Sequence, residues 1–509
     1  MLSNTTKLIN FLIAITVIIS AAVNLSYSQS DSYKFFNSSR DIGEPKLSGS
    51  VKYDKTKKEY TLKGAGKNIW NTEDEFHFLS RRIKGDFIIR ARLKFQGEGS
   101  HSHRKVGLML REKLTSKSAH VSAALHGDGL TSLQYRPQKG SETEEKQASI
   151  TAPDILQLER RGDTFIMSAA KSGAPFKTVQ LDSLKLKEMA SVGLFICSHT
   201  ANTKETAVAN NVRLIKPAPD GFTPYEDYIG SRIEIMNMET ENRKIIHTSS
   251  KSIQAPNWTR DGKSLLYNSQ GLMYRFNLKN SSIKKINTDF ANNNNNDHVI
   301  SFDGDKLGIS HHAEEAKGES VIYTLPIEGG TPEKITPQAP SYLHGWSPDD
   351  NKLIYTGRRK GKYNIYKIPI KSNKNEIRLT NTEGLDDGSE YTPDGEYIYF
   401  NSNRTGTMQI WRMKPDGSEK EQVTTDKFND WFPHISPDGK SIVFLSYRSE
   451  VESGDHPFYK HVYLRKIPIS GGKPEVIAYL YGGQGTINVP SWSPDSRKIA
   501  FISNSKILK

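Results

Sequence analysis

Histidines and carboxylates stand at nearly constant offsets ahead of a turn that recurs through the second half of the chain. His298, His344, Glu390 and His434 lie four or five residues before the aspartates Asp303, Asp349, Asp394 and Asp438. A fixed offset from a repeated turn puts such residues on one ring of a repeat architecture, so their imidazole and carboxylate groups converge. Mixed sets of this kind suit zinc, manganese or a similar divalent metal ion, which makes His344, Glu390 and His434 the metal-ligand candidates. Around them the sequence places Asp387, Arg404, Asp430, Asp455, His456 and Asn488, and together with His298 these are the ligand-binding candidates. With a metal the chemistry would be elimination or hydrolysis, and without one it would be a polar pocket for a glycan or a peptide end. The competing reading is that polar residues merely solvate a wet channel. No residue is assigned a catalytic role.

The elements that position these residues follow from the turn itself. Six copies occur: Trp258-Thr-Arg-Asp-Gly, Ile300-Ser-Phe-Asp-Gly, Trp346-Ser-Pro-Asp-Asp, Tyr391-Thr-Pro-Asp-Gly, Ile435-Ser-Pro-Asp-Gly and Trp492-Ser-Pro-Asp-Ser. Between their aspartates the steps are 42, 46, 45, 44 and 57 residues, close to the period of a four-stranded propeller blade. Each copy reads as an inner strand a, the turn, and a strand b such as Lys352-Leu-Ile-Tyr355; strands c and d follow. The chain reaches Lys509 soon after the sixth a–b pair, so the outer pair of that blade is sought at the front, in Ser231–Met238 and Arg243–His247. A six-bladed ring with a shared closing blade is predicted. With strand a running toward the turns, the d–a and b–c loops share the opposite face, and that face carries the candidates. The asparagine run 292–296 is expected to be a d–a loop tip on the same face, with rimming of a binding site as the alternative. The insertion 446–460 accounts, with 479–488, for the long last step.

The front half shows no repeat, but short alternating runs recur between turn residues. In Phe87–Phe95, Phe87, Ile89, Ala91, Leu93 and Phe95 fall on one face while Arg90, Arg92 and Lys94 fall on the other, as in a strand with one wet side. The whole is predicted all-β, a β-sandwich followed by the propeller. A seam with three prolines from Lys216 to Tyr225 disfavours helix and ladder alike. The expected organisation is a signal peptide over 1–28, a first domain over 33–216, a linker over 217–228 and the propeller over 229–509.

Both halves resemble known families. Tyr60-Thr-Leu-Lys-Gly-Ala-Gly66, Gly107-Leu-Met-Leu-Arg111 and Leu158-Glu-Arg-Arg-Gly162 resemble the concanavalin A-like lectin/glucanase superfamily, which implies a jelly roll accompanying carbohydrate binding. Pro490-Ser-Trp-Ser-Pro-Asp495, Pro433-His-Ile-Ser-Pro-Asp-Gly439 and Ser402-Asn-Arg-Thr-Gly-Thr-Met-Gln-Ile-Trp411 resemble the PD40 (WD40-like) propeller of the TolB family. That resemblance implies an exported binding or scaffold protein whose partner is a polysaccharide or an envelope protein. The alternatives are a metal-assisted polysaccharide lyase or hydrolase at the channel mouth, and a Tol-system-like periplasmic component. A peptidase domain with its Gly-x-Ser-x-Gly elbow is not expected.

Composition sets the compartment. Lys7, an apolar stretch from Phe11 to Val23 and the small residues Ser26 and Ser28 read as a secretory signal, so a periplasmic or secreted protein is expected. Contact with a membrane is expected only through that segment, if it is retained. The lone cysteine, Cys197, excludes an intramolecular disulfide. The net charge of +13 is scattered and alternates with acids, which argues against nucleic acid as a partner. A monomer is expected.

Overall fold

Wherever β-branched and aromatic residues alternate between turn signals the chain extends into strands, and strands make up almost all of its regular structure. The computed structural model describes residues 33–223, 226–371 and 375–508, so the expected signal segment lies outside the described residues. The one helix among them is a 3-10 turn, Glu314–Ala316, and none is long and apolar enough to cross a membrane. The chain divides into two units, with the division at Leu214 and Ile215.

The front unit holds two seven-stranded sheets. One runs Ser38–Ile42, Phe76–Lys84, Met189–Cys197, Lys105–Arg111, His120–His126, Thr131–Arg136 and Glu144–Gln147 in spatial order; the other runs Lys177–Leu181, Thr164–Ala170, Ile155–Arg161, Phe87–Gln96, Thr200–Ile215, Glu59–Gly66 and Ser50–Asp54. They pack closely enough that a Cβ on Gly64 would stand 2.7 Å from Cγ2 of Ile196 on the facing sheet. Phe76, Phe78, Met109, Phe195 and Cys197 fill part of the interior. Burial pushes the Cys197 thiol up to about 11. The wet side expected of Phe87–Gln96 is partly covered: Arg90 is buried and donates to the Gln157 side chain.

The second unit is a six-bladed propeller. Five sheets have four strands, beginning with the inner strands Gln254–Trp258, Asn294–Ile300, Ser341–Trp346, Asp386–Tyr391 and Asn429–Ile435. The sixth joins the two ends of the unit, since Ser231–Asn237 pairs with Lys498–Asn504 on one side and Arg243–Ser249 on the other. Its inner strand shrinks to a single bridge, Trp492 to Ile499. The six turns are nearly superposable in their bonding. A Ser or Thr hydroxyl meets the aspartate two residues on, at 2.5–2.7 Å in every copy. The next residue is left-handed, whether it is Gly262, Gly304, Gly395 or Gly439, or the exceptions Asp350 and Ser496.

Two local features depart from the alternation read in the sequence. All five full inner strands carry a β-bulge, at 254–257, 294–298, 343–345, 387–390 and 431–434. A bulge adds a residue to one strand and turns the following side chains to a new direction. The asparagine run, expected as a loop tip, instead opens an inner strand at Asn294. The Asn294 amide donates to the carbonyls of Gly271 and Ala291, so this side chain takes the place of a ladder partner.

Candidate functional site

The bulges divide the channel wall into two levels. Above them, on the face of the d–a and b–c loops, opens a cavity of about 1090 Å³. Its wall is rich in amides, among them Gln254, Asn268, Asn296, Gln484 and Asn488, and in the rings of Tyr342, Tyr363, Phe432 and Phe458. Below them, toward the turns, lies a smaller space of about 160 Å³ bounded by Trp258, Trp346 and Glu390.

Of the residues singled out in the sequence, His344, Asp387, His456 and Asn488 line the upper cavity. His344 Nε2 lies 2.8 Å from Asp387 Oδ1, which also accepts from the Thr356 hydroxyl at 2.6 Å. Burial alone disfavours both charges, but each partner outweighs it for the other. The His344 pKa is therefore raised, and that of Asp387 is held at about 2. Beside this pair Asp297 is pushed up to about 7, mainly by burial and further by the Asp387 carboxylate against the opposing pull of His344. Asp297 thus carries its proton up to near neutrality, and the group offers a donor as well as an acceptor. His456, from the long insertion, stands edge-on to Trp431 with ring centroids 4.5 Å apart. Asn488 is fixed from both ends, accepting from Gly485 N–H and donating to Gln484.

The other candidates do not line this cavity. His434 Nδ1 is paired with Glu390 at 2.7 Å and its Nε2 meets the Ile487 carbonyl, while Glu390 also accepts from Ile435 N–H. These two residues sew neighbouring blades together beneath the bulge. His298 is fully buried, and burial lowers its pKa to about 4. Arg404 is tied to Asp386 and lies over the Trp411 ring. Asp430 is enclosed by Arg465 and the Ser446 hydroxyl, and Asp455 is exposed. His344, Glu390 and His434 therefore do not form one ligand set. Among the described residues no three His, Cys, Asp or Glu side chains converge to hold a metal ion. The residues passed over in the sequence are Gln254, Asn268, Tyr342 and Tyr363; such amides carry no chemical signature of their own, and only the ring geometry gathers them.

Residues 338–455 match the family described as the TolB beta propeller domain. A protein of uncharacterised function from Agrobacterium fabrum is 47% identical over 273 residues, 53% of this chain and 92% of that protein. A solved structure from Agrobacterium tumefaciens assigned as a TolB shares 45% identity, with a TM-score of 0.53 over 55% of this chain and 100% of that one. The chain belongs to the TolB β-propeller family. The Tol-Pal system protein TolB of Francisella tularensis is more distant, 24% identical over 274 residues. The chain spans 58% of that protein's length, and the match takes in 53% of this chain. In this TolB-family propeller, then, the loop-face cavity with the Asp297, His344 and Asp387 group at its wall is the candidate site.

Proposed function

We propose that this chain is an exported, non-enzymatic binding protein of the bacterial envelope, a Tol-system-like periplasmic component whose propeller receives a polar segment of an envelope protein in its loop-face cavity. The observation that carries this reading is the cavity itself: amides supply paired donors and acceptors, and the aromatic rings supply apolar contact, which is the composition of a recognition site. The resemblance to a Tol-Pal system protein supports the compartment and the class of partner. The front unit, with its two facing sheets, we read as a concanavalin-like jelly roll that recognises polysaccharide. The test uses the full chain, immobilised and challenged separately with envelope protein extract and with a polysaccharide panel. A discrete envelope protein should be retained by the wild type and lost from Tyr363→Ala and Asn488→Ala. Retention unchanged in both variants would remove the cavity from the reading. New reducing or unsaturated ends on any glycan would replace it with an enzymatic one.

A further inference from the structure

Outside the propeller, three separate segments of the front unit bring four histidines together. His101 and His103 come from the connection after Phe87–Gln96, His126 ends the strand His120–His126, and His199 lies in the turn before Thr200–Ile215. His101 stacks on His199 with ring centroids 4.2 Å apart, and His103 stands edge-on to His126 at 5.7 Å. Nδ1 of His103 faces Nδ1 of His126 at 3.5 Å. Zinc held tetrahedrally at about 2.0–2.1 Å separates two ligand nitrogens by roughly 3.3–3.4 Å, so these two already stand at the spacing of a shared ion. Oδ2 of Asp128 is 3.9 Å from the same His103 nitrogen, while its Oδ1 accepts from Leu130 N–H.

The surroundings are built rather than incidental. The Gln134 side-chain amide nitrogen donates to Nε2 of His126 at 3.1 Å; turning that amide to present its oxygen would make it the kind of outer partner that fixes a ligating ring and would leave Nδ1 free toward His103. The connection bearing His101 and His103 is pinned by a buried ion pair, Arg104 to Glu205 at 2.7 Å, and by Ser100 N–H to the same carboxylate. Backbone bonds from Gly127 to Arg104 and from Asp128 to Ser102 lock it against the strand end that carries His126. His199 holds a φ of 63°, a sparsely populated conformation for a residue with a side chain, and in it the ring lies flat on His101.

We propose that His103, His126 and Asp128 form a site for a divalent transition-metal ion of the zinc class, with water completing the shell. The three do not yet meet at one point; the two nitrogens stand at a suitable spacing, and the Asp128 side chain, 40% exposed, closes the set by rotating. Imidazole with a single carboxylate suits zinc, copper or nickel over calcium or magnesium. The experiment is calorimetric titration of the untagged full chain with zinc chloride. One ion per chain is expected. His103→Ala and His126→Gln should each weaken it by about tenfold or more and Asp128→Asn less, while the propeller variant His344→Ala leaves it unchanged. His103 is half exposed, so its variant tests the site without burdening the fold, and circular dichroism checks both. No binding by the wild type, or the same affinity in His103→Ala and His126→Gln, would overturn the site.

Discussion

Asp297 and His434 show how strongly a side chain's position relative to one bulge decides its role. Asp297 sits within its bulge, in the cavity wall, with its pKa raised to about 7 from an ordinary value of 3.8. The folded state therefore holds a proton that the unfolded chain has already released between about pH 4 and pH 7. Stability must fall as pH rises through that window. His344 acts in the same sense above it: a raised imidazole pKa stabilises below the ordinary value and loses that contribution as pH climbs. Asp297→Asn should flatten the pH dependence of the propeller's melting temperature between pH 4 and 7, with a gain on the order of 2–4 kcal/mol at pH 8; a curve parallel to wild type would show that Asp297 is not the titrating group. His434 sits below its bulge and is bound on both nitrogens. His434→Ala leaves the largely buried Glu390 without its hydrogen-bond partner, which costs about 1–3 kcal/mol for a buried polar group left unpaired. Chemical denaturation should show that loss, while the cavity wall keeps its residues.

At the scale of elements, the a–b turns carry the fold, and two of the six do more than turn. Where four copies have glycine in the left-handed position, Asp350 and Ser496 stand instead. The Asp350 carboxylate accepts from Phe302 N–H and Asp303 N–H of the preceding blade, both at 2.7 Å, and the Ser496 hydroxyl accepts from Asp438 N–H at 3.0 Å. A strained residue is thus kept where its side chain clamps the neighbouring turn. Asp350→Gly relieves the strain and removes the clamp, and Asp350→Ala keeps the strain without the clamp. The alanine variant should be the less stable of the two, by about 1 kcal/mol, as read from denaturation midpoints. These turns are also why so much of the propeller was legible in the sequence. Serine or threonine, aspartate and a left-handed residue leave a local signature that needs no tertiary context, and counting them gives six blades. The site was less legible for a physical reason. Counting back from a turn gives an offset but not a level, and the bulges at 387–390 and 431–434 leave Glu390 and His434 on the turn side and Asp387 on the cavity side. Glu390 and His434 therefore point into blade contacts, whereas Asp387, three residues before Glu390, reaches the cavity. The asparagine run departs from a loop tip at Asn294, whose amide bonds to backbone at the head of a strand, while 293–296 rim the cavity.

At the scale of the whole propeller, closure depends on one strand pair. Ser231–Asn237 and Lys498–Asn504 are paired residue for residue, and Glu234 anchors both Arg243 and Ser503 within that blade. Ile233, Ala500 and Ile502 share a core with Trp258 and Leu265 of the first blade. Ending the chain at Arg497 should therefore abolish a single cooperative unfolding transition of the propeller, rather than trim its stability, and calorimetry would register a broadened or missing peak. The register of the pair has a mechanical consequence. Ser231 lies opposite Asn504 and Asn237 opposite Lys498, so the chain enters and leaves the ring at the same end of the ladder. A force applied between the front unit and the C-terminal residues loads these hydrogen bonds one after another, as a zipper, instead of all together in shear. Tension along its own chain would open the ring from this end, first at the bonds of Lys506 to Lys216 and of Ser505 to Gly230 and then at Ser231 and Asn504, at low force and step by step along the ladder.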